Sequence, residues 1–146
     1  MSRVKPAEVH FYLDADVLGL AGVLGRLRTD VTYPGDPGLE LHKRRRPPCP
    51  VSSPAVKDSV WIPIVARQGW LIITRDRRIQ DHRGEIRAVR DNAARMVALS
   101  GSAARGTFDQ LEIIMTQWRA ICRLRLEPGP FIYTATRTSL RAIALD

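Results

Sequence analysis

The sequence predicts an α/β protein built on a mainly parallel sheet with helices on both faces. Leu71–Thr74 is a continuous apolar or β-branched run between Gly69 and a cluster of charge, which is the pattern of a strand buried on both faces. Such runs alternate along the chain with segments of helical spacing, and this alternation favours parallel strands joined by helices. At 146 residues the chain is long enough for one hydrophobic core, so we expect a single domain over residues 1–146.

Each element is predicted from its own local pattern. Strands are expected at 9–13, 30–33, 71–74, 95–99 and 131–136, and helices at 16–28, 57–68 and 83–93, with Asp16 as an N-cap. Thr107 and Gln110 match a capping box, which predicts the start of a last helix. Its core-facing stripe is predicted to consist of Phe108, Leu111, Met115, Trp118 and Cys122.

Residues 34–56 are predicted to form a long, basic, proline-rich loop. It holds six of the ten prolines and the basic run Lys43, Arg44, Arg45 and Arg46. Loops of this length are usually functional or mobile. A solvated run of charge, a flap over a nucleic-acid groove and a segment that orders on a partner all fit the pattern.

The composition narrows the partners and the compartment. The formal net charge of +8 favours a phosphate-rich partner, either nucleic acid or an anionic membrane surface. No apolar run is long enough to cross a bilayer, and the N-terminus lacks the apolar segment of a secretory signal. Cys49 and Cys122 stand far apart and outside metal-type spacing, so reduced thiols in a cytoplasmic protein are expected.

Aspartates follow the predicted strands at the points where these end. Asp14 and Asp16 come after the first strand, Asp76 follows the central strand, and Asp58 opens the helix before it. Parallel strands end at one edge of the sheet, so these carboxylates should converge there. They would repel one another unless a hard cation such as Mg²⁺ or Mn²⁺ neutralised them. A metal so placed can activate water and stabilise charge on a phosphoryl group, which on a basic protein predicts cleavage of a nucleic-acid backbone.

Three motifs carry a resemblance to a known family. F-Y-L-D-A-D at 11–16, K-D-S-V-W-I-P-I-V-A at 57–66 and L-I-I-T-R-D-R at 71–77 resemble the PIN-like nucleases, in particular the VapC-type toxins of bacterial toxin–antitoxin pairs. The resemblance implies a three-layer α/β/α sandwich, Mg²⁺- or Mn²⁺-dependent endoribonuclease activity and a cognate antitoxin that blocks it. It implies that Asp14, Asp58 and Asp76 are the catalytic acids, with Thr74 as a supporting hydroxyl.

The resemblance leaves some assignments open. The family's usual second acid, a glutamate after an early helix, has no clear counterpart; Asp16, Asp36 and Glu40 are the substitutes, and we favour Asp16 as a further metal ligand. A degenerate domain that binds nucleic acid or a protein without cleavage is the alternative function, and a homodimer stays open. A phosphoacceptor receiver domain is disfavoured because residues 131–136 contain no lysine. The residues expected to contact RNA phosphates are Lys43, Arg44, Arg45, Arg46, Arg75, Arg77 and Arg78.

Overall fold

A computed structural model describes residues 3–76 and 82–145, and the side chains within them except those of Asp76, Gly101 and Ala103. The predicted alternation of strands and helices is present. The strands are β1 (Lys5–Pro6), β2 (Phe11–Leu13), β3 (Val31–Thr32), β4 (Leu39–Leu41), β5 (Arg44–Arg46), β6 (Leu71–Asp76), β7 (Arg95–Ser100), β8 (Phe131–Ala135) and β9 (Leu140–Ala142). The helices are α1 (Leu18–Leu27), α2 (Asp58–Gln68), α3 (Arg83–Asp91) and α4 (Thr107–Leu124).

The main sheet has six strands in the order β3-β2-β6-β7-β8-β9. All neighbouring pairs are parallel except β8 and β9, since β9 runs antiparallel along the edge. Strands β6 and β7 pair over their full length, from Leu71 opposite Arg95 to Asp76 opposite Ser100. Strand β9, which the sequence did not predict, therefore adds a sixth strand to the sheet.

Helices cover both faces of this sheet. On one face, Phe11, Leu13 and Leu71 belong to a buried cluster that also includes apolar residues of α1 and α4. On the other face, Tyr12 and Ile72 pack with Trp61 of α2 and with residues of α3. Alternate residues of each central strand are thus buried on opposite sides, as expected for a parallel sheet between two helical layers. The prediction of a three-layer α/β/α fold with a mainly parallel central sheet is confirmed. In the described part of the chain, no helix is long and apolar enough to cross a membrane.

The predicted core stripe of α4 is wrong at two of its five positions. Phe108 is 78% exposed and Met115 is 70% exposed, whereas Leu111, Trp118 and Cys122 are partly buried and pack against the core. The face that packs on the sheet is rotated around the helix and carries Ile113, Ile114 and Ile121. Both faces are apolar, so helical spacing alone could not distinguish them.

The ends of two helices also differ from the predictions. Asp14, not Asp16, caps the first helical turn, a short 3₁₀ segment at Ala15–Val17 that leads into α1. Thr107 is the first residue of α4 and makes no capping hydrogen bond, because Gly106 occupies the N-cap position. Gln110 is instead buried, and its side-chain amide donates to the carbonyl of Ala104 at 3.1 Å.

The predicted loop at 34–56 contains regular structure. Strands β4 and β5 form an antiparallel hairpin, and β1 from the N-terminus adds to it in parallel, which makes a second, three-stranded sheet. Arg46 anchors this hairpin. Its Nε lies 2.6 Å from Oδ2 of Asp36, both side chains are buried, and its guanidinium also donates to the carbonyls of Gly25 and Arg28 at the end of α1.

The hairpin turn is strained. Its two central residues, His42 and Lys43, have φ angles of 52° and 60°, as a two-residue turn that follows the twist of its strands requires. Each costs about 1 kcal/mol or more in this conformation relative to glycine, because its Cβ crowds the backbone. Neither residue is glycine or asparagine, so the turn lacks the signal by which hairpins are recognised in sequences.

We expect Lys43→Gly to raise the free energy of unfolding by about 0.5–1 kcal/mol, since glycine relieves the strain at positive φ while it adds flexibility to the unfolded chain. Chemical denaturation measures the change. Arg44→Gly is the matched control, because it removes the same charge one residue later, inside β5, where glycine should destabilise. Equal destabilisation by both variants would contradict the turn geometry.

Candidate acidic site at the carboxyl edge of the sheet

Asp14 and Asp16 meet at one hydroxyl group. Asp14 follows the last residue of β2, and its backbone N–H donates to the carbonyl of Ile73, which keeps it beside β6. The side-chain oxygen of Thr74 lies 3.2 Å from Oδ2 of Asp14 and 2.9 Å from Oδ2 of Asp16. Asp16 is further held by the backbone N–H of Arg75, at 3.2 Å. The two carboxylates are therefore placed by the ends of two neighbouring strands.

This arrangement leaves the two carboxylates in competition. The Thr74 hydroxyl has one hydrogen to donate, and both acids are within its reach. Asp14 is only 9% exposed and Thr74 2%, whereas Asp16 is exposed, so water screens the repulsion between the negative charges only from the side of Asp16. A proton on one acid or a cation between them would relieve it.

Burial and the neighbouring charge of Asp16 raise the pKa of Asp14 from its ordinary 3.8 to about 7. The charge of Asp58 adds to this rise, while hydrogen bonds from the Ala15 N–H and the Thr74 hydroxyl oppose it. Asp14 accepts the Ala15 bond through Oδ1 at 2.6 Å. The ionised form of Asp14 is thus costly in the folded, metal-free protein.

Asp58 reaches the same edge from a different element. It is the first residue of α2, which precedes β6 and therefore begins at the carboxyl end of the sheet. Its Oδ1 accepts a hydrogen bond from the indole N–H of Trp61, one turn later, at 2.9 Å. Its charge acts on both Asp14 and Tyr12. The helix thus presents an oriented carboxylate towards the pair at the sheet.

The remaining predicted residues fall into three groups. Asp76 is the last residue of β6, so its backbone lies at the predicted edge, but its side chain is outside the described residues, as are Arg77 and Arg78 altogether. Arg75 is tied to the site by its backbone contact with Asp16. The hairpin residues Lys43, Arg44 and Arg45 are exposed, whereas Arg46 is 2% exposed, so its assignment to a nucleic-acid surface is wrong.

The three residues considered as the family's second acid, Asp16, Asp36 and Glu40, lie in different parts of the structure. Asp36 is 2% exposed and accepts hydrogen bonds from the Thr32 hydroxyl and the Arg46 guanidinium, in addition to the ion pair. Glu40 lies on the hairpin and pairs with Arg45 at 3.2 Å. Of the three, Asp16 is the one that contacts Thr74 together with Asp14.

The donors present are suited to a hard cation. Carboxylate and hydroxyl oxygens are the ligands that Mg²⁺ and Mn²⁺ accept, and Mg²⁺ is commonly held by one or two carboxylates while it retains several waters. Among the residues whose side chains are described, no three His, Cys, Asp or Glu residues converge as a ready-made metal site. The pair Asp14 and Asp16 therefore fits as the core of the site, with Asp58 nearby.

Two residues of this edge were not singled out from the sequence. Tyr12 is fully buried, and burial together with the charges of Asp14, Cys49, Asp58 and Asp16 raises the pKa of its phenol above the ordinary value. Trp61 is the second of these residues, since its indole N–H donates a hydrogen bond to Asp58. The spacing of Trp61 three residues after Asp58 is the signal that could have shown this contact, because it places both on one helical face.

A parallel sheet between helices, with acids gathered where its strands end, defines a class of α/β protein whose ligand site lies at the carboxyl edge. A comparison with protein-family models assigns the chain within this class. Residues 10–101 match the model described as PIN like domain, so the chain belongs to the PIN-like domain family. This membership indicates a nuclease-type function. No curated protein and no solved structure gives a significant match.

We expect Asp14→Asn to stabilise the metal-free protein at neutral and higher pH. The folded-state pKa of about 7 lies above the ordinary 3.8, so ionisation of Asp14 favours unfolding, and the wild type should lose stability as pH rises from about 4 to about 7. The loss in the free energy of unfolding is about 4 kcal/mol at most, since one pKa unit corresponds to about 1.4 kcal/mol. An asparagine at position 14 does not ionise, so the variant does not lose this stability.

Urea denaturation in EDTA at pH 5 and pH 8 measures this difference. The gain from Asp14→Asn should be larger at pH 8. Asp91→Asn is the control, because Asp91 is an exposed residue at the end of α3 and its replacement should leave the pH profile unchanged. A destabilised Asp14→Asn variant at pH 8 would show that the carboxylate is not under the described repulsion.

Proposed function

We propose that this PIN-like protein is a divalent-metal-dependent endoribonuclease and the toxin of a bacterial toxin–antitoxin pair, active in the cytoplasm. The observation that carries the proposal is the convergence of Asp14 and Asp16 on Thr74 at the carboxyl edge of the sheet. Burial and the neighbouring charge of Asp16 raise the pKa of Asp14, so its ionised form is costly unless a cation binds beside it. The motifs around Asp14, Asp58 and Asp76 support the same function.

The acids have separate roles in this proposal. Asp14 and Asp16 would hold Mg²⁺ or Mn²⁺ from the sheet, Asp58 would contribute from α2, and Asp76 would complete the set from the end of β6. Thr74 keeps the first two carboxylates side by side, and Trp61 keeps Asp58 in one orientation. When bound, the metal supplies an activated water and compensates charge on the scissile phosphate.

The arginines support the choice of a polyanionic substrate. Arg75 stands beside Asp16, and the Nε of its half-buried side chain has no hydrogen-bond partner in the described structure. A phosphate oxygen bound near the metal could satisfy such a donor. Arg77 and Arg78 would extend the contact along the backbone, together with the exposed hairpin residues Lys43, Arg44 and Arg45.

The contacts that the hairpin residues make with RNA are expected to lie away from the acidic site. Arg46 anchors the hairpin at the carboxyl-terminal end of α1. The acids lie at the opposite end of this ten-residue helix, about 15 Å away along its axis. Lys43–Arg45 would therefore bind RNA outside the cleavage site and contribute to affinity rather than to the reaction.

We expect Asp14→Asn, Asp58→Asn and Asp76→Asn each to lower Mn²⁺-dependent cleavage of single-stranded RNA by about 100-fold or more, because each removes a ligand charge. Activity is measured on a labelled RNA with and without EDTA, which should abolish wild-type cleavage. Asp91→Asn is again the control and should remain active.

The alternative, a degenerate domain that binds without cutting, makes a different prediction for the same experiment. It requires RNA or protein binding that is indifferent to EDTA and no cleavage at any Mn²⁺ concentration. Wild-type cleavage by Asp14→Asn or Asp76→Asn would reject the assignment of the site.

The proposed antitoxin has a surface available to it. An open groove of about 370 Å³ lies between α1 and α4, and it includes the exposed Leu27 and Met115 and the half-buried Trp118. Arg28 lines the groove with its guanidinium 4.7 Å from the centre of the Trp118 ring, and Arg26 and Arg119 are exposed on the same two helices. This combination suits an amphipathic segment with an apolar face and acidic flanks.

We expect Met115→Glu to weaken inhibition by the cognate antitoxin about 10-fold or more while RNA cleavage by the free toxin is unchanged, because the new charge lies on the apolar floor of the groove. The antitoxin to test is to be sought as the product of a small reading frame next to the gene for this chain. Thr116→Glu is the matched control, since Thr116 is exposed on α4 but does not line the groove. A shift to monomers in Met115→Glu alone would assign the groove to a second copy of the chain.

A further inference from the structure

Tyr12 lies under the acids. It is in β2, two residues before Asp14, and its side chain has no solvent exposure. Side chains alternate along an extended chain, so Tyr12 and Asp14 project to the same face of the sheet. This is the face covered by α2, where Tyr12 packs with Trp61 and Ile72. The phenol is thus confined between the sheet and the helix that carries Asp58.

The Tyr12 hydroxyl has no hydrogen-bond partner in the described structure. Buried tyrosine hydroxyls are normally paired, and an unpaired one usually marks a missing group. The ionisable groups that act on this hydroxyl are Asp14, Cys49, Asp58 and Asp16, in decreasing order. Three of these four groups are acids of the candidate site, and the alternation of side chains places Tyr12 on the same face of the sheet as Asp14.

The position of the phenol is fixed by Trp61. The two ring centroids are 4.9 Å apart, and the same indole donates to Asp58 at 2.9 Å. Tyr12 therefore cannot turn away to solvent without disturbing the residue that orients Asp58. Its hydroxyl makes no hydrogen bond to the carboxylates in the described structure, although their charges act on it. A water molecule can bridge two polar groups that do not reach each other directly.

We propose that the Tyr12 hydroxyl donates a hydrogen bond to a water ligand of the divalent cation held by Asp14 and Asp16, and that Tyr12 is a positioning residue for that water. This inference rests on the proposed function, because it requires the cation. Mg²⁺ and Mn²⁺ retain several waters when one or two carboxylates bind them, so a donor that orients one of these waters has a target only in the loaded protein. In the metal-free protein the hydroxyl stays unpaired.

The test compares Tyr12→Phe with the wild type in the binding of Mn²⁺ alone. We expect the dissociation constant, measured by calorimetry on the metal-free protein, to rise about 10-fold, as is typical when a partner of a metal ligand is removed. The melting temperature in EDTA should be unchanged or higher, because the substitution removes an unpaired polar group and keeps the ring against Trp61. Tyr133→Phe is the matched control, since Tyr133 is a half-buried tyrosine of β8 whose ring packs in the cluster on the opposite face of the sheet.

Each result is decisive. Equal Mn²⁺ affinity of Tyr12→Phe and wild type overturns the role of Tyr12 and leaves the nuclease proposal intact. A lower melting temperature of Tyr12→Phe in EDTA also overturns it, because the hydroxyl would then have a partner in the metal-free protein. Failure of the wild type to bind Mn²⁺ overturns both proposals. The role of Tyr12 is supported if Tyr12→Phe binds Mn²⁺ more weakly than the wild type while Tyr133→Phe binds Mn²⁺ with wild-type affinity.

Discussion

The single hydroxyl hydrogen of Thr74, within reach of both Asp14 and Asp16, is the constraint around which the site is built. The parallel pairing of β2 with β6 places Asp14 next to Thr74, and the 3₁₀ turn that follows brings Asp16 back to the same oxygen. Folding thus places the buried carboxylate of Asp14 beside the negative charge of Asp16, which raises the pKa of Asp14. The cation that we propose for this edge would offset the cost of ionising Asp14.

A buried ion pair elsewhere in the structure holds the hairpin in place. Asp36 and Arg46 satisfy each other away from the site, and through the carbonyls of α1 they fix a hairpin that composition alone suggests is loose. A buried pair of this kind contributes more to a specific arrangement than to net stability, since desolvation offsets much of the attraction. The chain therefore supplies a cationic side chain of its own to one buried acid, Asp36.

Much of the fold was accessible from the sequence because the central strands are continuous apolar runs and the intervening helices have clear spacing. The acids were accessible because Asp14 and Asp76 stand where such runs end. The hairpin was missed because the turn residues His42 and Lys43 carry no turn signal, and Arg46 was misassigned because a run of arginines does not reveal which one is buried. On α4, two apolar faces compete, and only the position of the sheet decides between Ile113 and Met115 as a core residue. The contacts of Tyr12 depend on packing across three elements, which no local pattern encodes.

Gly19 lies at the contact between α1 and α4, close in sequence to the acidic site. A Cβ atom there would overlap the hydroxyl of Thr107, so α1 and α4 touch at their first turns with only a hydrogen atom between them. Gly19 is three residues beyond Asp16, and Thr107 opens the helix that carries Met115. A larger residue at position 19 would therefore disturb the contact between α1 and α4 at a point only three residues from Asp16.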